Sequence, residues 1–145
     1  MKFDGVSRLA WVLLSVALVT LFWRHQLFGT GVVSIGIQAL SVGLWIWARL
    51  TFGRRSFHGS ASPTAGGLVT TGPYRFWRHP IYASILYFIL AGVAAHPSAL
   101  SGACGGLAAL AVTVRIGSEE RLLRERYPEY AAYARGTKRL VPFLL

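Results

Sequence analysis

Four apolar stretches dominate the chain, and its polar residues gather between and after them. The stretches run from about Leu9 to Phe28, Val32 to Phe52, Pro80 to Ala95 and Ala99 to Ile116. A helix of about 20 apolar residues crosses about 30 Å of hydrocarbon. The pattern therefore predicts an all-α integral membrane protein with about four transmembrane helices. The first and second spans turn at Gly29-Thr30-Gly31. The third and fourth are short and form a hairpin turning at His96-Pro97-Ser98. Pro80 suits a first helical turn, where a missing N–H costs nothing.

Small and polar residues inside the spans predict how they pack. Gly36 and Gly43 lie about two turns apart and suggest a face that another helix approaches closely. The run Ser101-Gly102-Ala103-Cys104-Gly105-Gly106 has the same composition. Gln38 in mid-span reads as a hydrogen bond to a neighbouring helix, in preference to the lining of a polar cavity.

After the fourth span the pattern changes. Ser118 followed by Glu119, Glu120 and Arg121 reads as the capped, charged start of a new helix. Leu122, Leu123, Tyr127, Tyr130 and Tyr133 form an apolar and aromatic stripe interrupted at Pro128. This predicts a C-terminal amphipathic helix or helix pair at the membrane surface. The end, from Leu140 to Leu145, is apolar but too short to span. The whole reads as one domain: two spans over 1–52, a loop over 53–79, a hairpin over 80–117 and a tail over 118–145.

Charge sets the topology. Fifteen Lys and Arg stand against five Asp and Glu. The basic residues sit beside spans, which points to the positive-inside rule and not to nucleic acid. Arg24 alone marks the first connection. Arg49, Arg54, Arg55, Arg75 and Arg78 surround the second. Arg115, Arg121, Arg124, Arg126, Arg135, Lys138 and Arg139 follow the last span. Both termini, the long loop and any site they build are expected to face the cytoplasm. No small-x-small cleavage site precedes Arg24, so the first stretch reads as a retained span. Cys104 has no cysteine partner, and no Cys/His cluster has metal-ligand spacing.

The chemistry is concentrated in Gly72-Pro73-Tyr74-Arg75-Phe76-Trp77-Arg78-His79-Pro80-Ile81-Tyr82. Arginines, rings and a histidine in one segment beside an apolar run suit the water–lipid boundary facing a ligand. Arg75 and Arg78 also suit contact with lipid phosphates. A second cluster, Arg115, Glu119 and Glu120, abuts the end of the fourth span. Arg115 and Glu119 are four apart, within pairing reach on one helix face. Asp4 is the only carboxylate before Glu119, so a paired-carboxylate mechanism is disfavoured. No Ser-His-Asp or Cys-His arrangement stands out. These residues suit positioning a charged, ring-containing molecule, not attack by a nucleophilic side chain.

The string Leu68-Val69-Thr70-Thr71-Gly72-Pro73-Tyr74-Arg75-Phe76-Trp77-Arg78-His79-Pro80-Ile81-Tyr82 resembles the isoprenylcysteine carboxyl methyltransferase family. So do the later Glu119-Glu120, Tyr130-Ala131-Ala132-Tyr133 and Val141-Pro142-Phe143. That family is related to the membrane phospholipid N-methyltransferases. The resemblance covers about Leu68 to Phe143. It implies S-adenosyl-L-methionine as cofactor and S-adenosyl-L-homocysteine as product. By position, Leu68, Val69, Tyr74, His79, Pro80, Ile81, Tyr82 and Glu119 would line the cofactor, with Glu120 beside them. Arg115 would hold the acceptor, with His79 as a second catalytic residue. The acceptor would be a lipophilic small molecule or lipid entering from the bilayer. A carboxylate acceptor needs no general base; an amine would need one, and His79 or Glu120 is placed for it. The rival readings are an NADPH-dependent reductase of the sterol type, with Arg54 and Arg55 for the 2′-phosphate, and a non-catalytic lipid-binding protein.

Overall fold

A computed structural model describes residues 2–53 and 67–141, with side chains in the first helix from Gly5 onward. The Arg54–Arg55 pair and the apolar end at 142–145 lie outside the described residues. The chain runs α1 (Lys2–Trp23), α2 (Val32–Phe52), a 3-10 turn (Gly72–Arg75), α3 (Pro80–Ala95), α4 (Ala99–Arg126) and α5 (Tyr130–Gly136). Three helices, α1, α2 and α4, are long and apolar enough to cross a membrane, and α3 is a shorter apolar helix. Large apolar side chains such as Val19, Val32, Leu40 and Leu50 project outward. Such a surface suits lipid and would be a liability in water. The protein is an all-α membrane protein.

α2 packs on α3, α1 on α4 and α3 on α4. The seam between α1 and α4 follows the helical period. Ala10, Leu14, Ala17 and Leu21 of α1 share a buried cluster with Cys104, Ala108, Ala111 and Val112 of α4. Small residues on both sides let the two backbones come close.

Three expectations change on contact with the structure. The first helix ends at Trp23, not Phe28. His25 takes a left-handed conformation (φ 55°), and Gln26 N–H reaches back to Leu21 O at 2.8 Å. That is a Schellman closure, and it stops the helix although the apolar pattern continues. Gly36 and Gly43 face open space, where an added Cβ would meet nothing within 4 Å. The close approach is made by Gly92 of α3, where a Cβ would stand 2.1 Å from Leu27 O. In the small run of α4, only Gly105 has such a contact among its glycines, at 3.3 Å from Val93 Cγ2. Finally, Ser118 starts no helix. Its hydroxyl bonds Val114 O at 3.0 Å, and α4 continues to Arg126, just before the turn at Pro128.

Gln38 behaves as the helix-to-helix link. Its Oε1 accepts from Gly29 N–H at 2.9 Å. Its Nε2 donates to Leu27 O at 2.8 Å and to Phe88 O at 3.1 Å. One buried amide thus ties α2, α3 and the 26–29 turn. At the opposite end of the bundle, the starts of α1 and α3 meet the last turns of α2 and α4.

Candidate active site

The loop before α3 is shaped by one glycine. Gly72 has φ 58°, and a Cβ there would fall 2.5 Å from Thr51 Oγ1. Only glycine combines that conformation with that proximity. The turn it starts buries Pro73 and Tyr74, and the Tyr74 ring lies 5.6 Å from that of Phe52. Leu68 and Val69, half-buried, lie on the approach to this turn. Pro80 is buried at the first turn of α3, with His79 immediately before it. Ile81 is half-buried, and its carbonyl accepts from Ser84 at 2.7 Å.

The tail closes over this loop. Arg78 N–H bonds Lys138 O at 2.6 Å and His79 N–H bonds Arg139 O at 3.2 Å. Lys138 N–H returns to Phe76 O at 3.2 Å. Tyr133 Oη donates to Tyr74 O at 2.7 Å, and Tyr87 Oη donates to Leu140 O. Arg78 does not reach out to lipid phosphate. Its guanidinium bonds Ala134 O at 2.6 Å, Thr137 O, and Glu120 Oε1 at 3.0 Å. Glu120 is 2 % exposed and also meets Arg139 at 2.9 Å, Arg124 at 3.4 Å and His79 Nε2 at 3.4 Å. Hydrogen bonding to this carboxylate raises the Arg139 pKa above its ordinary value. Glu120 is therefore the centre of an ionic clasp between α4, the loop and the tail. Arg75 stays exposed, its guanidinium 5.8 Å from the Phe76 ring.

Glu119 points elsewhere. Its carboxylate faces the Tyr82 hydroxyl. Burial first, and the Glu119 charge next, push the Tyr74 phenol well above its ordinary range. So Glu119 lies where both rings feel it, and no arginine ion pair is recorded for it among the described residues. Arg115 does not pair with Glu119 directly. Its Nε donates to Tyr82 Oη at 3.0 Å, and its Nη1 donates to Ser7 Oγ at 2.7 Å and Ser7 O at 3.2 Å. Its guanidinium lies 4.4 Å from the centre of the Trp11 ring, a cation–π contact. Tyr82 thus stands between Arg115, which it bonds, and Glu119, which it faces, and its ring stands 5.8 Å from that of His79.

The structure brings Tyr74, His79, Tyr82, Arg115, Glu119 and Glu120 to one end of the bundle. Sequence reasoning missed Ser7 and Trp11, which α1 supplies, and the clasp roles of Arg78, Thr137 and Arg139. Ser7 and Trp11 are four apart and so share a helix face, which was the one available signal. An acidic carboxylate beside two rings, with a buried cation across a phenol, suits a ligand with hydroxyl or ammonium donors on one side and an anion on the other. That is the donor set S-adenosylmethionine and a carboxylate acceptor would need. Among the described residues, no group of three or more His, Cys, Asp and Glu side chains is placed to hold a metal ion.

Comparison with known proteins gives the family. A profile described as phospholipid methyltransferase matches residues 27–130. The nickel-cobalt-cadmium resistance protein NccN of Alcaligenes xylosoxydans xylosoxydans is 32 % identical over 142 residues, covering 92 % of this chain and 62 % of that protein. The cobalt-zinc-cadmium resistance protein CzcN of Cupriavidus metallidurans is 32 % identical over 111 residues, covering 76 % of this chain and 47 % of that protein. The chain thus spans about half to three-fifths of the length of these relatives. No solved structure matches. With most of its length matched, including the Gly72–Tyr82 loop and the Arg115–Glu120 turn of α4, the chain belongs to the phospholipid methyltransferase family of membrane methyltransferases.

Proposed function

We propose that the chain is an S-adenosylmethionine-dependent methyltransferase of the isoprenylcysteine carboxyl methyltransferase type, acting on a lipophilic acceptor at the cytoplasmic membrane face. The observation that carries this reading is the grouping of Arg115, Tyr82 and Glu119, with the Arg115–Tyr82 hydrogen bond at its centre, His79 beside it and the tail closed across it. S-adenosylmethionine supplies an electrophilic methyl group. Glu119 accepts hydrogen bonds from the cofactor's hydroxyl or ammonium groups, and Tyr74 and the half-buried Leu68 and Val69 form the wall behind it. Tyr82 stands between the Glu119 carboxylate and Arg115. Arg115, held on three sides, orients an anionic acceptor group by its remaining nitrogen. A carboxylate acceptor needs no proton removed, which suits a site whose second acid, Glu120, is engaged in the clasp. The catalytic contribution is orientation more than acid–base chemistry.

The clustering of Lys and Arg at this end of the bundle supports a cytoplasmic site and cytoplasmic termini. The test is calorimetry on the full chain in detergent or nanodiscs, with S-adenosylhomocysteine and NADPH in separate titrations. Saturable binding of S-adenosylhomocysteine alone, with labelled methyl passing from S-adenosylmethionine into a membrane lipid extract, is the expected result. Binding of NADPH without S-adenosylhomocysteine overturns it.

A further inference from the structure

Gly117, Glu120, Arg121, Arg124 and Glu125 recur at the three- and four-residue spacing of one helix face. With Arg139 of the tail they line an open, polar groove of about 420 Å³. The last turns of α4 form one wall, and the tail segment after α5 forms the other. Gly117 keeps room there, since an added Cβ would meet nothing within 4 Å. α4 leaves its apolar stretch after Ile116, so the groove begins where the hydrocarbon ends, at the level of the lipid phosphates.

The groove carries more positive charge than its own acids take up. Three guanidiniums line it against two carboxylates. One of these, Glu120, already holds Arg78 at 3.0 Å from the inner side of the clasp. The other, Glu125, meets Arg121 only at 3.4 Å, with both side chains mostly in water, and such an exposed pair holds weakly. Arg124 reaches Glu120 through Nη2 alone, at 3.4 Å. Arg139 reaches it through Nε and Nη2. Among the described residues, Nε and Nη1 of Arg124 and Nη1 of Arg139 make no hydrogen bond. All three cations are arginines. A guanidinium offers parallel N–H groups that match two oxygens of a phosphate, and it is less strongly hydrated than an ammonium.

We propose that this groove binds a phosphate group, from an anionic lipid headgroup or from free phosphate, with Arg121, Arg124 and Arg139 as its ligands. The bound anion ties the tail to α4 from outside, as Glu120 does from inside. It involves neither methyl donor nor acceptor, so the inference stands apart from the methyltransferase reading.

The experiment follows thermal unfolding of the full chain in nanodiscs of phosphatidylcholine, whose choline neutralises its own phosphate. One arm replaces part of that lipid by phosphatidic acid. A second replaces it by oleate at equal surface charge. A third adds inorganic phosphate against chloride at matched ionic strength. An anion that binds only the folded chain raises Tm as its amount rises. A saturable rise with phosphatidic acid, well above that with oleate, is expected and marks the headgroup as the source. A saturable rise with inorganic phosphate alone supports the groove with free phosphate as the source. Arg121→Gln/Arg124→Gln, at exposed positions, should weaken half-saturation by roughly tenfold or more. Arg126→Gln/Arg135→Gln removes the same charge outside the groove and should move it several-fold less. Arg121→Lys/Arg124→Lys keeps the charge and loses the forks, so most of the preference for phosphatidic acid over oleate should go. The Tm of each variant in phosphatidylcholine alone shows that it folds. Equal rises from phosphatidic acid and oleate with no response to inorganic phosphate, equal losses in the two glutamine variants, or no saturable rise from any phosphate overturns the proposal.

Discussion

Arg78 Nε stands 3.0 Å from Glu120 Oε1, joining the loop before α3 to the α4 helix across 42 positions of sequence. Both side chains are largely removed from solvent. A buried charge that loses its partner costs far more than the pair contributes. Glu120→Ala leaves Arg78 and Arg139 facing each other and is expected to destabilise the fold by about 3–5 kcal/mol. Thermal unfolding in detergent reads this as a large fall in Tm. Arg139→Ala, at a half-exposed position, is expected to cost about 1 kcal/mol or less. Equal shifts for the two variants would show that Glu120 is not the centre of the clasp.

Gly72 is expected to be irreplaceable for two separable reasons. Gly72→Ala puts a Cβ against Thr51 Oγ1 and forces a left-handed alanine. The conformational part alone costs on the order of 1–3 kcal/mol. Thr51→Ala in the same chain relieves the collision and leaves the strain. Partial recovery of stability in the double variant is therefore the expected result. Full recovery would mean that the positive φ carries no penalty here.

Tyr133 offers a check on the closed tail by pH. Burial pushes its phenol up to about 12. The charged form is disfavoured in the fold, so the stabilisation is fully present below the ordinary tyrosine pKa, about 10. It is lost as pH rises through about 12. Tyrosinate absorbance of the intact chain minus that of Tyr133→Phe should show one late-titrating group, and the same difference taken in an Arg78→Ala background, where the tail is loosened, should fall toward ordinary values. No late group in the first difference would place Tyr133 in solvent.

The parts of the fold that sequence made legible are those with local punctuation. α2 lies between Gly31 and Gly53 and runs as expected. The end of α1 was hidden because Leu27 and Phe28 keep the apolar pattern going past a closure that His25 makes with its backbone. α4 was hidden in the opposite way. Ser118-Glu119-Glu120 looks like a helix start, but inside a continuing helix Ser118 bonds back to Val114. In the site, residues within one short segment were legible together. Ser7 was not, because its partner Arg115 lies 108 positions away and no local pattern encodes that pairing. Nor does adjacency separate Glu119 from Glu120. One step along a helix turns a side chain by about 100°, which sends one acid to the rings and the other into the clasp.

The two acids and the arginine should therefore fail in different ways. Glu119→Ala removes a charged hydrogen-bond acceptor from the proposed cofactor wall, a loss of about 1.5–3 kcal/mol for such a bond. S-adenosylhomocysteine affinity should fall by roughly 10- to 150-fold, with little change in Tm because Glu119 is outside the clasp. His79→Ala should weaken cofactor binding too, with some loss of stability from the Glu120 contact. Arg115→Ala is expected to leave S-adenosylhomocysteine binding nearly intact and to depress methyl transfer, because Arg115 faces the acceptor side of Tyr82. Tyr82→Phe separates these roles. It keeps the ring and deletes the hydroxyl that Arg115 bonds and Glu119 faces, so binding and turnover should both decline, each less than in the corresponding alanine variant. Calorimetry and labelled-methyl transfer on the same four preparations check the set. Unchanged cofactor affinity in both Glu119→Ala and His79→Ala would show that the cofactor lies elsewhere. Tyr82→Phe behaving as the unaltered chain would show that this hydroxyl does not couple the two halves of the site.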